Sequence, residues 1–146
     1  MDPDVLRKKL ESLARCLERI RDHTPSGSDA LATDYDTQDI LILNLERTVQ
    51  LCVDIGSHIL SGLDDAAADS MASVFTVMAA KKLVSAELAS SLSRAVGFRN
   101  IAVHEYSELD WNIVYAIITE RLPDFYEFGA IILALTETTE KKSWQQ

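Results

Sequence analysis

Apolar residues recur along this chain at steps of three and four. No stretch of useful length alternates apolar with polar in the manner of a half-buried strand. Leu6, Leu10, Leu13, Leu17 and Ile20 form one such stripe and predict a first helix within residues 1–23. Thr24, Pro25, Ser26, Gly27 and Ser28 carry loop chemistry and end it, and the polar run on to Asp36 reads as a loop over residues 24–36. A second helix is expected from about Thr37, a suitable N-cap with Asp39 in the first turn, to about Leu60, where Ser61 and Gly62 stop it. Leu41, Leu45, Thr48, Cys52, Ile55 and Ile59 make one seam, and Ile42, Val49 and Val53 add a second flank. A helix apolar around that much of its circumference belongs at the centre of a bundle or in an oligomer. Its remaining stripe, Arg47, Gln50, Asp54 and His58, must face water, a cleft or itself.

A short third helix turns Met71, Val74, Phe75 and Met78 inward, and these positions, like Phe125, read as core rather than a cofactor site. The fourth starts at Ser85, an N-cap followed by Glu87, and shows Leu88, Leu92 and Ala95 before ending near His104. The last starts near Asp110, and Val114, Ile118, Leu122, Phe125, Phe128, Ile132 and Leu135 keep helical step through Pro123. Because Pro123 cannot donate to the carbonyl of Thr119, one helix kinked at that point is expected. The tail over 138–146, ending KKSWQQ, is expected to fray. The sum is an all-α bundle of four main helices and a short one, read as a single domain over residues 1–146.

Composition changes this picture little: of 146 residues, 47% are apolar and 25% charged, as in ordinary globular domains. Charge changes it more. The net charge of −9 argues against a broad basic surface for duplex nucleic acid, but residues 24–75 hold −8 of it whereas residues 76–106 carry +2. A small anion site is thus placed in the stretch that ends at Tyr106, and the acidic flanks could dock a basic partner. Cys16 and Cys52 read as free core thiols. His23, His58 and His104 are scattered, and neither C-x-x-C nor H-x-x-x-H occurs, so no metal site or cofactor is expected. The charged start, MDPDVLRKKLESL, is unlike a signal peptide, and no apolar run approaches a membrane span; a cytoplasmic protein is expected.

The seam of Leu88, Leu92 and Ala95 continues to Arg99, Ala102 and Tyr106. An arginine on a core-facing seam is costly unless it is paired or lines a wet cleft. Asn100 and His104 share another edge, and His104 stands about 140° around the helix from Arg99. These groups converge on one ligand only if the helix unwinds after His104 or if two copies meet about a two-fold axis. Arginine offers a fork for phosphate, histidine is the acid or base of neutral pH, and tyrosine supplies a modifiable hydroxyl. RNA cleavage by the neighbouring 2′-hydroxyl fits this set. A helix-end cation at His104 and a core aromatic at Tyr106 fit the spacing as well.

Residues 99–106, RNIAVHEY, read as R-x-x-x-x-H-x-Y, and the longer VGFRNIAVHEY and TQDILILNLERTVQLCVDIGSHIL resemble the fourth and second helices of the HEPN-domain RNases, specifically the HepT toxins of HepT–MntA toxin–antitoxin pairs. The likeness runs from about Thr37 to Phe128. It implies a HEPN-type four-helix up-and-down bundle that forms a homodimer, with the two motifs facing across a groove. It further implies a metal-independent endoribonuclease acting on tRNA or mRNA. Arg99 and His104 match its catalytic positions, Asn100 its adjoining polar position, and Tyr106 the tyrosine that a minimal nucleotidyltransferase antitoxin modifies with AMP from ATP. A phosphate placed there would block RNA binding. Asp54 is a further candidate, orienting Arg99 or His104 if the second and fourth helices pack together; a solvated stripe or an ion pair with Arg47 suits it equally. The alternative function is a non-catalytic helical subunit that docks a nucleotidyltransferase and helps bind its nucleotide or substrate.

Overall fold

A computed structural model describes residues 2–63 and 68–145. Its elements, in order, are α1 (Pro3–His23), α2 (Ser28–Thr33), α3 (Tyr35–Ser61), α4 (Ser73–Ala80), α5 (Ala86–His104), a single 3₁₀ turn (Tyr106–Glu108), α6 (Trp111–Glu120) and α7 (Leu122–Gln145). No strand occurs among the described residues. The four long helices α1, α3, α5 and α7 make the expected all-α bundle. Helix α1 lies along α3 and α7, and α5 packs on α3 and α4. Both flanks of α3 are inside the core: Leu41, Cys52 and Ile55 are fully buried, and Ile42, Val49 and Val53 nearly so. Each such side chain contributes about 1.5–3 kcal/mol over its exposed state, which makes α3 the central helix. No described helix is long and apolar enough to cross a membrane.

Four local expectations need correction. The polar run before the second helix is not all loop. It folds into α2, whose Leu31 is fully buried and whose carbonyl accepts from Gln38 Nε2 at 2.9 Å. One apolar anchor suffices to order a short turn. The N-cap of α3 is Asp34, not Thr37; its carboxylate accepts from the Thr37 amide at 3.1 Å and the Thr37 hydroxyl at 2.8 Å. Asp39 therefore sits in the second turn rather than the first. The last helix is broken, not kinked. Helix α6 ends at Glu120, and Pro123 falls in the first turn of α7, where a missing N–H costs nothing. The tail holds helix through Gln145, with Thr138 and Thr139 bonding back to Ala134 and Leu135 and Glu140 paired to Arg7. Gln146 lies outside the described residues.

Glycine 56 sets how closely α4 approaches α3. A Cβ there would stand 2.5 Å from Val74 Cγ1 and 3.0 Å from Met78 Sδ, both in buried side chains. At Gly97, on α5, a Cβ would meet nothing within 4 Å. Gly56→Ala should therefore destabilise by about 1–3 kcal/mol through overpacking, while Gly97→Ala should stabilise by about 0.5–1 kcal/mol through helix propensity. Denaturant titration of the two variants checks the opposite signs.

Candidate active site

Helix α5 begins at Ser85, whose hydroxyl caps the Leu88 amide at 3.1 Å, and buries Leu88, Leu92 and Val96. That anchorage carries Arg99 to the rim of the core one turn before the helix ends. Its guanidinium reaches over Met71, just ahead of α4, with Nη1 3.9 Å from the sulfur and 3.3 Å from Asn100 Oδ1. Its Nε is buried without an acceptor. No carboxylate lies within ion-pair distance among the described residues. A guanidinium held against a thioether, rather than neutralised by an acid, keeps its charge available to an incoming anion. Met71 is thus half-buried beneath the cation, a departure from the plain core role expected of it.

Helix α5 stops at His104. Glu105 takes φ −135° and ψ 47°, and the 3₁₀ turn at Tyr106 reverses the chain. The unwinding required after His104 is therefore present. The His104 side chain is exposed at the helix end with no hydrogen-bond partner among the described residues. Asn100 is exposed beside Arg99.

Tyr106 packs edge-on against Trp111, with ring centroids 5.9 Å apart. Its hydroxyl donates to Asp39 Oδ1 on α3 at 2.5 Å. It lines a shallow pocket of about 420 Å³ with Asp39, Ile42, Leu43, Glu46, Ala102 and Val103. Desolvation and then the Asp39 and Glu46 carboxylates push the Tyr106 phenol well above the ordinary tyrosine range. The tyrosine is neither a buried core aromatic nor free: it is 38% exposed and tethered. Asp39 was not singled out as a site residue because, by sequence, it is one more charge near a helix start. Only the return of the chain at Glu105 brings Tyr106 to it.

Within one protomer, then, the structure joins Arg99 to Asn100 and Tyr106 to Asp39, while neither Arg99 nor His104 lines the tyrosine pocket. The expectation for Asp54 is not met here. Asp54 accepts from Gln50 Nε2 at 2.9 Å and lines a groove between α1 and α3. It bonds to none of Arg99, His104 or Arg47 among the described residues. Asp54 faces the groove against α1, and Arg99 is not among the residues that line that groove. No three His, Cys, Asp or Glu converge as metal ligands among the described residues.

Residues 13–131 match the profile of the family described as Ribonuclease HepT-like. The chain belongs to that family. Over 135 residues it is 36% identical to the mRNA nuclease HepT of Shewanella oneidensis, covering 90% of this chain and 98% of that protein. It is 26% identical over 125 residues to the tRNA nuclease HepT of Aphanizomenon flos-aquae, covering 86% and 85% of the two chains. Among solved structures, the tri-AMPylated Shewanella oneidensis HEPN toxin in complex with MNT antitoxin is similar with a TM-score of 0.85 at 36% identity, covering 92% of this chain and 99% of that one. The HepT-like assignment agrees with the all-helical fold.

The Asp39 contact has a measurable consequence. In Asp39→Asn the nearest negative charge is gone, so the Tyr106 phenolate becomes easier to form. Its pKa should drop toward the ordinary tyrosine value. Ultraviolet titration of the variant, with Tyr106→Phe subtracted to isolate that ring, checks the direction.

Proposed function

We propose that this chain is the toxin of a toxin–antitoxin pair: a cytoplasmic, metal-independent endoribonuclease that cuts tRNA or mRNA and is silenced when a nucleotidyltransferase antitoxin AMPylates Tyr106. The observation that carries this reading is Arg99, a guanidinium fixed at the core edge with no acid paired to it among the described residues, five positions before the exposed imidazole of His104. The two relatives named as nucleases support it, as does the AMPylated toxin–antitoxin complex.

The working unit is a homodimer. Leu43, Ile101, Val103 and Ile113 are exposed around the end of α5, and Ile113 is 54% exposed. A second copy seated there would cover them and bring two motifs together. In that groove one His104 takes the proton from the ribose 2′-hydroxyl, whose oxygen attacks the adjacent phosphorus. Arg99 stabilises the charge on the phosphorane, and Asn100 helps orient it. The second His104 gives a proton to the leaving 5′-oxygen. The products are a 2′,3′-cyclic phosphate and a 5′-hydroxyl.

Silencing uses the tethered tyrosine. The Tyr106 oxygen attacks the α-phosphorus of ATP held by the antitoxin, the bond to pyrophosphate breaks, and the phenolic proton passes to Asp39. Once Asp39 has released that proton to water, the new phosphate lies beside the carboxylates of Asp39 and Glu46, which repel it from the pocket. RNA phosphate can no longer occupy that place. A second reading, the non-catalytic subunit that docks a nucleotidyltransferase, is favoured by one observation only: neither Arg99 nor His104 lines the tyrosine pocket within a protomer.

His104→Ala should lower RNA cleavage by about 10²–10⁴-fold and abolish growth arrest, with unchanged circular dichroism and dimer mass. Full activity in that variant would remove His104 from the mechanism, whereas absence of cleavage by the natural chain would leave the docking subunit. With the antitoxin, ATP and a divalent metal, intact mass should rise by whole AMP units for the natural chain and not for Tyr106→Phe. Asp39→Asn should be modified more slowly near neutral pH and recover as pH rises, because the phenolate then forms without a base.

A further inference from the structure

The groove between α1 and α3 is separate from the motif pocket, about 380 Å³ in volume, and lined by Arg15 and Arg19 from α1 and by Asn44, Arg47, Gln50 and Asp54 from α3. In a chain of net charge −9, three guanidinium groups meeting in one groove is a local reversal of sign. The other arginines of α1 are occupied: Arg7 pairs with Glu140, and Arg21 lies 5.9 Å over the ring of Tyr126. Arg15, Arg19 and Arg47 have no carboxylate within ion-pair distance among the described residues. Arg47 is the sole Lys or Arg between residues 24 and 75.

The groove also holds unspent acceptors. Asn44 is 2% exposed, and its Nδ2 donates to the Ile40 carbonyl at 2.8 Å, but its Oδ1 is buried without a donor. Buried acceptors of this kind are rare unless a ligand or water supplies the missing proton. At the other end Gln50 holds Asp54 through one oxygen, leaving the second. A fitting ligand therefore carries several negative charges for the arginines and hydroxyl or N–H donors for Asn44 and Asp54. A ribonucleotide strand has both, in its phosphates and in its 2′-hydroxyls and base edges. Position favours it too. Arg47 follows Glu46 of the tyrosine pocket, and Leu43 of that pocket stands four residues from Arg47 on the exposed ridge of α3, an axial rise of about 6 Å.

We propose that the α1–α3 groove is a second RNA-contact site, holding the strand that flanks the scissile phosphate. This rests on the ribonuclease reading above. The arginines grip successive phosphates, and the Asn44 and Asp54 acceptors discriminate RNA from a bare polyanion. The groove lets an acidic protein hold a polyanion along one short track rather than across its whole surface.

The test measures binding of a fluorescent single-stranded RNA oligonucleotide to the full chain carrying His104→Ala, so that cleavage does not intrude, over a range of salt concentrations. Adding Arg15→Gln, Arg19→Gln and Arg47→Gln should lower affinity at least tenfold. It should also reduce the slope of log K against log salt by about 0.7 per lost contact, or about two in all. A control of equal charge change, Lys8→Gln with Lys81→Gln and Lys82→Gln, should leave both nearly unchanged. Should the triple variant not fold, Arg47→Gln alone removes an exposed side chain and should cost about 0.7 of slope. A loss no larger than the control's overturns the proposal. So does unaltered RNA binding with lost antitoxin binding, which would make the groove a protein dock, or a changed oligomer mass, which would make it an interface between copies. If the folded parent binds no RNA at all, the ribonuclease reading fails and takes this proposal with it.

Discussion

Burial of α3 on two flanks is the constraint from which the rest of the molecule takes its position. Leu41, Leu45, Cys52, Ile55 and Ile59 on one seam and Ile42, Val49 and Val53 beside it face the core. Turning either flank to water would expose several large side chains at about 1.5–3 kcal/mol each. The helix therefore cannot rotate, and both margins of its single polar arc are set. One edge, with Asp39 and Glu46, meets the end of α5. The other, with Arg47, Gln50 and Asp54, meets α1. The close seat of α4 at Gly56 completes the frame and brings Met71 beneath Arg99.

Charge is then distributed by function more than by stability. Among the described residues the only ion pairs within 4.0 Å are those of Arg7 with Asp4 and Glu140, both involving exposed or half-exposed groups that add little to folding. Arg99 is left against a sulfur and a side-chain amide. Tyr106 is placed among carboxylates that keep its proton on. A cation that no acid pairs with among the described residues and a phenol whose proton has a waiting acceptor are opposite arrangements, a few residues apart. Under the proposed function the first suits a phosphate that comes and goes and the second a covalent phosphate that remains.

Much of this was legible in the residue order. The stripe of Leu6, Leu13, Leu17 and Ile20, the double flank of α3 and the Ser85 cap all describe helices whose period is a local property. The R-x-x-x-x-H-x-Y spacing marked Arg99, His104 and Tyr106, and the family resemblance built on it agrees with the HepT-like match across residues 13–131. Where local reasoning failed, a distant contact decided. Leu31 orders α2 because the core accepts it, Asp34 takes the capping role because the chain enters α3 three residues earlier than a cap at Thr37 would allow, and the C-terminal tail stays helical as it lies along α1, with Glu140 reaching Arg7.

The chain alone determined the all-helical class, the central helix, the seam that carries Arg99 and the histidine and tyrosine that follow it, since each depends on spacings within one or two turns. Tertiary structure decided which groups stand opposite them. Asp39 lies 67 positions from Tyr106 along the chain, and Arg15 and Arg47 meet only because α1 lies against α3. Asp54 sits on the polar stripe that the sequence shows, but its neighbours come from α1 rather than α5, because a stripe can be read from sequence and what it faces cannot. Periodicity records which side of a helix avoids water. The identity of what that side, or the opposite one, touches is set by how helices distant in sequence pack, and no local pattern carries that information.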